Sequence, residues 1–250
     1  MVMDFDFTLL GEVPAPKSFM VRREFRGVGS FKLTVQRDAG GLLARDRVIY
    51  RPDRPEQGWI IHRVSRRGRR LTVDGTPLKG LAKRRICLPP LITGGAYNQF
   101  GYDLFTGDAE SAYLHFAANN LTAPEDAARA IPRLVLDTNL HRGPELPWQA
   151  RFDSLCGLFE DIGAATEVGW DIRPDFGAKR YVFGAWAGVD RTTGTGRCAL
   201  SRELGNVEGG SVTEDAGSAV TVVYAGGAGE DENRLIQSYG SENAGLTRYE

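Results

Sequence analysis

Over residues 1 to 86, apolar residues recur in short alternating runs with too little chain between them to hold a helix. Phe5-Asp6-Phe7-Thr8-Leu9 and Phe31-Lys32-Leu33-Thr34-Val35 alternate, and Trp59–Val64 is a short β-branched run. Glycines at Gly27, Gly29, Gly40-Gly41 and Gly58 punctuate them. Neighbouring parallel strands need a crossover of about a dozen residues or more, whereas antiparallel strands need only a turn. The spacing therefore predicts antiparallel strands closing into a small barrel or sandwich.

The texture changes after Pro89-Pro90 and Gly94-Gly95. Asp108–Leu121 reads as a helix with Asp108 as N-cap, an apolar face of Tyr113, Leu114, Phe116 and Ala117, and Pro124 beyond its end. A second helix is expected from Pro147 to Val168, on the spacing of Phe152, Leu155, Phe159 and Ile162, with Gly169 as its stop. Strands return at Trp170–Arg173, Tyr181–Ala187 and Ala219–Tyr224, and Leu246–Glu250 also reads as strand, which suggests a truncated chain or an incomplete domain. The expected fold is α+β and β-rich: a β-barrel-like domain at 1–90, a helical connecting region at 91–168, and a second antiparallel β-barrel-like domain at 169–250.

A chain of 250 residues buries roughly 70–75% of its unfolded surface and needs no disulfide or metal staple. Cys87, Cys156 and Cys198 are far apart and odd in number, so a disulfide framework or paired-cysteine metal site is not expected, and all three read as buried thiols. Met1–Asp6 lacks the basic and apolar regions of a signal peptide, and no window approaches a membrane span, so neither is expected. Asn120-Leu121-Thr122, formally a glycosylation sequon, reads as a helix end.

Formal net charge is -1, yet residues 17–85 carry 19 Lys and Arg against 6 Asp and Glu, while 201–250 carry 3 against 9. The cluster Arg63, Arg66, Arg67, Arg69, Arg70 could follow a phosphate backbone, which leaves a β-rich nucleic-acid-binding module as the alternative function. Arg66 to Arg70 also read as a hairpin turn with Gly68 at its tip. A charge difference along one chain equally suits head-to-tail contact between identical subunits.

Asp4-Phe5-Asp6-Phe7-Thr8 matches an aspartyl-phosphate phosphatase pattern, but that chemistry needs a buried parallel strand, a downstream Lys and a paired acidic motif, and an edge strand is expected instead. Ala225-Gly226-Gly227-Ala228-Gly229 resembles a nucleotide-binding turn, but Glu230-Asp231-Glu232 put negative charge where phosphate would sit, so a loop or wide hairpin is expected. His62, His115 and His141 are isolated from one another. No catalytic, cofactor-binding or metal residue is assigned, and an enzyme is not expected.

Several stretches together resemble the siphophage tail-hub family, the tail-tip counterparts of baseplate hubs. They are Leu10-Gly11-Glu12; Ser18-Phe19-Met20-Val21-Arg22-Arg23-Glu24-Phe25-Arg26-Gly27-Val28-Gly29-Ser30-Phe31-Lys32-Leu33; Leu71-Thr72-Val73 with Gly80-Leu81; Arg84-Arg85-Ile86-Cys87-Leu88-Pro89-Pro90; Gly169–Arg173; and Val222–Glu230. The resemblance implies a virion protein with two barrel-like domains per chain, forming a homotrimeric ring that continues the tail tube. Its implied neighbours are a distal tail or tube protein and a tip or spike protein, with DNA only as cargo in the lumen. The implied location is the virion tail tip, after synthesis in the host cytoplasm. The expected subunit-contact residues are Arg22, Arg23, Phe25, Arg26, Phe31, Glu230, Asp231 and Glu232.

Overall fold

The structure is a computed structural model that describes residues 1–13, 16–36, 41–91, 95–207, 209, 211–217, 219–240 and 242–250. The expected punctuation at Gly40 and Gly94 lies outside the described residues. The chain forms two compact units, Met1–Val189 and Asp190–Glu250.

The first unit is built on a curled, half-barrel sheet of seven antiparallel strands. These are β1 (Val2–Met3), β2 (Leu9–Gly11), β3 (Ser18–Arg22), β4 (Ser30–Val35), β5 (Val48–Arg51), β6 (Arg54–Arg67) and β7 (Arg70–Pro77), in the order β2-β1-β5-β6-β7-β4-β3. The hairpin of β6 and β7 turns through Gly68-Arg69, with Arg67 opposite Arg70 and Gly68 at φ +57°, as the sequence predicted. The two-residue period sorts the strands into two buried faces. Val2, Phe31, Leu33, Val35, Ile49, Trp59, Ile61, Leu71 and Val73 fill one side. Met3, Val48 and Ile60, each next in sequence to a residue of the first set, join a separate core on the other. Each large apolar side chain so buried contributes about 1.5–3 kcal/mol, so a sheet of this kind requires a second layer.

That layer comes from β8 (Asp103–Asp108), α1 (Ala109–Ala117), β9 (Leu134–Leu136), β10 (Glu145–Ala150), α2 (Leu155–Thr166), β11 (Val168–Asp175) and β12 (Arg180–Ala187). β8 pairs with β10, and β12 lies between antiparallel β11 and parallel β9. Tyr113, Phe116, Phe159, Trp170, Tyr181 and Phe183 form the centre of the core they share with the sheet. β11 and β12 are therefore integral to the first unit, and the expected divisions at 90/91 and 168/169 do not separate independent cores: helices and strands interleave around one.

Asp108 caps α1 as expected, its Oδ1 accepting the Ser111 N–H at 2.8 Å. The second helix is shorter than its apolar spacing predicts. Residues 145–150 pair with β8 instead, Phe152 stands outside at φ +57° and 49% exposed, and Ser154 caps the first turn. The helix stops at Glu167, which takes the left-handed conformation, not at Gly169. The expected edge strand begins only at Leu9, in β2: Asp4 to Thr8 make a tight turn, with Phe7 at φ +72° and Asp6 Oδ1 accepting the Thr8 N–H at 2.9 Å. The turn sends both aromatic rings to one side, where Phe5 and Phe7 pack on Tyr181 at 4.4 and 4.7 Å between centroids. Asn120 is a buried helix-end residue, its Oδ1 accepting from Leu88 N–H. Cys87 and Cys156 are buried, and burial pushes both thiols up to about 12; Cys198, expected inside, is exposed.

Among its described residues the second unit carries one hairpin, β13 (Val223–Gly226) and β14 (Ile236–Tyr239), with Val223 opposite Tyr239 and Gly226 opposite Ile236. This is the wide hairpin expected around the glycine run. Gly245–Thr247 is a 3-10 turn where strand was expected, and Tyr249 O accepts the N–H groups of Thr221 and Val222.

Candidate functional site

β3 is an edge strand of the sheet. Its Phe19 turns inward onto Phe31 and Trp59, while Met20 and Val21 are 65% and 38% exposed. Beyond Arg22 the chain leaves the ladder and rejoins it at Ser30, just after Gly29, whose φ is +73° and where a Cβ would stand 2.2 Å from Arg22 O. Only glycine fits so close an approach. The segment between presents Arg22, Arg23, Phe25 and Arg26 at the surface.

A buried lysine holds this segment. Lys79, 3% exposed, lies in the 3-10 segment Leu78–Arg84 that follows β7. Its Nζ donates to Glu24 O at 2.8 Å, Phe25 O at 3.3 Å and Trp170 O at 3.3 Å, using all three ammonium hydrogens. The same Nζ stands 4.9 Å from the Trp170 ring centroid, and Trp170 Nε1 donates to Arg26 O at 2.9 Å. Burial lowers the Lys79 pKa, with Asp171 the principal charge opposing that; burial in turn raises Asp171, with Lys79 the principal charge opposing. Phe25 meets Trp186 edge to face at 5.8 Å and lies over Gly169, where a Cβ would be 2.5 Å from its ring. Arg22 pairs with Glu24 at 3.0 Å and Arg26 approaches Glu167 at 3.9 Å. β7's end, β11 and the Lys79 ammonium thus set a short cationic and aromatic loop in one conformation.

Of the residues expected at subunit contacts, Arg22, Arg23, Phe25 and Arg26 share this loop. Phe31 is 3% exposed within the sheet's own core, so its ring is withdrawn from any surface role. Glu230, Asp231 and Glu232 lie in the second unit, exposed in the loop between β13 and β14, with Asp231–Asn233 in a 3-10 turn. Sequence reading missed Lys79. Its signal was a single charge inside Pro77-Leu78-Lys79-Gly80-Leu81-Ala82, a run otherwise fit for a core.

The histidines stand apart, each against an oxygen: His62 Nε2 at 2.9 Å from Thr76 Oγ1, His115 Nε2 at 2.8 Å from Asp103 Oδ1, and His141 Nδ1 at 3.0 Å from Asp108 Oδ2. No helix among the described residues is long and apolar enough to cross a membrane.

This β-rich chain, whose full length matches a siphovirus tail family, is a structural protein of the phage tail class. The chain belongs to the Siphovirus ReqiPepy6 Gp37-like protein family, which matches residues 1–250. Among solved structures it is similar to prophage tail protein gp18 from Listeria monocytogenes EGD-e, at 12% identity and a TM-score of 0.46 over 73% of this chain. The match covers 49% of that protein, so this chain spans about half its length. No curated protein matches.

Proposed function

We propose that this chain is a hub element of the siphophage tail tip, three copies closing a ring between the tail tube and the tip or spike. In this reading each chain supplies two barrel-like walls to the ring. Its neighbours are a distal tail or tube protein on one side and tip or spike proteins on the other, DNA crosses the lumen only as cargo, and the chain reaches the virion tail tip from the host cytoplasm. Its acids and bases serve contact, not turnover, and it takes no cofactor or metal.

The observation that carries the proposal is the outward display of Arg22, Arg23, Phe25 and Arg26 from a loop fixed by Lys79. A pre-ordered surface loop loses little entropy on docking, which favours a permanent protein contact. The second unit adds support. A lone two-stranded hairpin is marginal in water, and here Tyr224, Ile236 and Tyr239 are 55%, 62% and 60% exposed, apolar surface suited to cover by neighbouring copies. Heterologous contacts between unlike patches are what close a ring.

Ring-shaped trimers in negative-stain images, with a matching mass by light scattering, are the expected result; a strict monomer at every ionic strength would sink the reading for this chain. Arg22→Glu with Arg23→Glu is expected to weaken assembly by roughly tenfold or more while the tryptophan-fluorescence unfolding transition stays in place. Loss of that transition would assign the two arginines to the fold instead.

The nucleic-acid alternative retains one observation: Lys17, Arg67, Arg69 and Arg70 line a groove of about 380 Å³ at the tip of the β6–β7 hairpin. Salt-sensitive DNA retention in filter binding, lost on reversing Arg69 and Arg70, would favour it.

A further inference from the structure

Two surface features outside the Lys79-held loop complement each other. On the first unit, Lys83, Arg84, Arg85, Ile86, Arg129 and Ser154 line a cleft of about 490 Å³. Asp46 engages Arg84 at 2.5 Å. Lys83, Arg85 and Arg129 have no carboxylate partner among the described residues. Carbonyls hold the two guanidiniums instead: Arg85 Nε donates to Arg129 O at 2.7 Å and Arg85 Nη1 to Arg84 O at 2.9 Å, while Arg129 Nη2 donates to Ile86 O at 2.7 Å. Burial, then the charges of Arg129 and Arg84, push Arg85 downward. The fold thus gathers like charges against their repulsion and leaves the cleft open, so an anion seated there would relieve the repulsion.

On the second unit, Glu230, Asp231 and Glu232 are consecutive, exposed and unpaired among the described residues, and the 3-10 turn at Asp231–Asn233 makes them a compact projection. Leu235 beside them is 62% exposed, and Ile86 at the cleft is 46% exposed, so an apolar contact is available next to the charges.

We infer that the cleft of Lys83, Arg85 and Arg129 receives the Glu230–Glu232 turn of a second copy of this chain. The inference rests on the assembly reading above and assigns it one particular contact. Carboxylates suit guanidinium forks, which can bind both oxygens at once. The cleft lining holds no aromatic ring on which a base could stack, which argues against a nucleic-acid strand as occupant. A contact between two different patches also propagates from copy to copy, as a ring needs.

The test uses two variants of the full chain. One carries Lys83→Glu and Arg129→Glu; the other carries Glu230→Lys, Asp231→Lys and Glu232→Lys. In sedimentation at low salt, each alone is expected to associate at least roughly tenfold more weakly than the parent, and an equimolar mixture to recover association in part, since the reversed cleft of one accepts the reversed turn of the other at two of the three contacts of a ring. Lys83→Glu alone, at an exposed position, gives the same direction if the double variant misfolds. Undiminished association of both variants, or a mixture no better than either alone, would overturn this contact while leaving ring assembly intact. A monomeric parent would overturn both readings. Salt-sensitive binding of a short duplex DNA to the parent, lost in Lys83→Glu without any change in association, would reassign the cleft to phosphate and overturn the inference.

Discussion

Arg142→Met is expected to destabilise the first unit by about 3–5 kcal/mol, the cost of leaving a buried charge without its partner. The Glu110 side chain is 1% exposed, in the first turn of α1. It accepts from Arg142 Nε at 2.9 Å, Arg142 Nη2 at 2.7 Å and the Arg142 backbone N–H at 3.2 Å. The same guanidinium donates to Ala185 O on β12, so the pair ties the helix start to the small sheet. Burial pushes the Glu110 pKa up, but the Arg142 hydrogen bonds and charge outweigh it and hold the group below its ordinary 4.5. A folded pKa below the unfolded one adds stability above pH 4.5 that is lost as pH falls through the folded value. Without the Arg142 guanidinium, burial is opposed only by backbone hydrogen bonds from residues 140 and 142, so the folded pKa rises and the stability gained between mildly acid and neutral pH shrinks. Urea unfolding across that range measures the slope, followed by Trp59, Trp148, Trp170 and Trp186, all in the first unit. Adding Glu110→Gln is expected to return part of the loss, because no unpaired charge then remains buried. Equal stability of parent and Arg142→Met at neutral pH would show that the pair does not hold the helix.

What the sequence disclosed and what it hid divide along the range of the forces involved. The strand at Phe31–Val35, the turn at Gly68 and the cap at Asp108 are decided within a few residues, by the period-two pleat, a left-handed turn position and a side chain reaching three residues on. The errors come from partners far along the chain. Phe5 and Phe7 alternate like strand residues, but their turn is fixed by Tyr181, whose hydroxyl donates to Phe5 O at 3.1 Å. Residues 145–150 extend an apparent helical pattern, yet β8 needs a partner strand and takes them. The loop at residues 22–27 was legible in part. Arg22, Arg23, Phe25 and Arg26 stood out through the family resemblance, while the agents that fix them, Lys79 and Trp170, lie 50 and more residues away and show no local sign of converging.

Lys79→Met should then separate fold from assembly. The substitution keeps most of the side-chain volume and removes a buried charge, which by itself returns several kcal/mol of desolvation. It also strips the donor from three carbonyls, each bond to an ammonium contributing about 1.5–3 kcal/mol, and takes the main positive charge from Asp171. The second set outweighs the first, for a net loss of about 2–4 kcal/mol, and two of the three orphaned carbonyls belong to the loop at residues 22–27. Amide exchange at residues 22–27 is therefore expected to accelerate while β4 to β7 stay protected, and ring formation to fall in parallel with the loop. The pH dependence carries a second signature. Asp171 has a folded pKa raised above 3.8, so its contribution to stability is present at low pH and lost as pH rises toward the folded value; without Lys79 that value climbs and the losing window extends upward. Lys79 itself sits below its ordinary 10.5, so the parent gains stability as pH rises from its folded pKa toward 10.5, a gain that the Met variant lacks. Asp171→Asn added to Lys79→Met removes the acid-side window and, by sparing a buried unpaired carboxylate, restores part of the stability. It does not restore assembly, because the carbonyls of Glu24 and Phe25 still have no donor. If the loop amides of Lys79→Met exchange no faster than those of the parent, or if assembly survives their release, the buried ammonium does not order the contact surface.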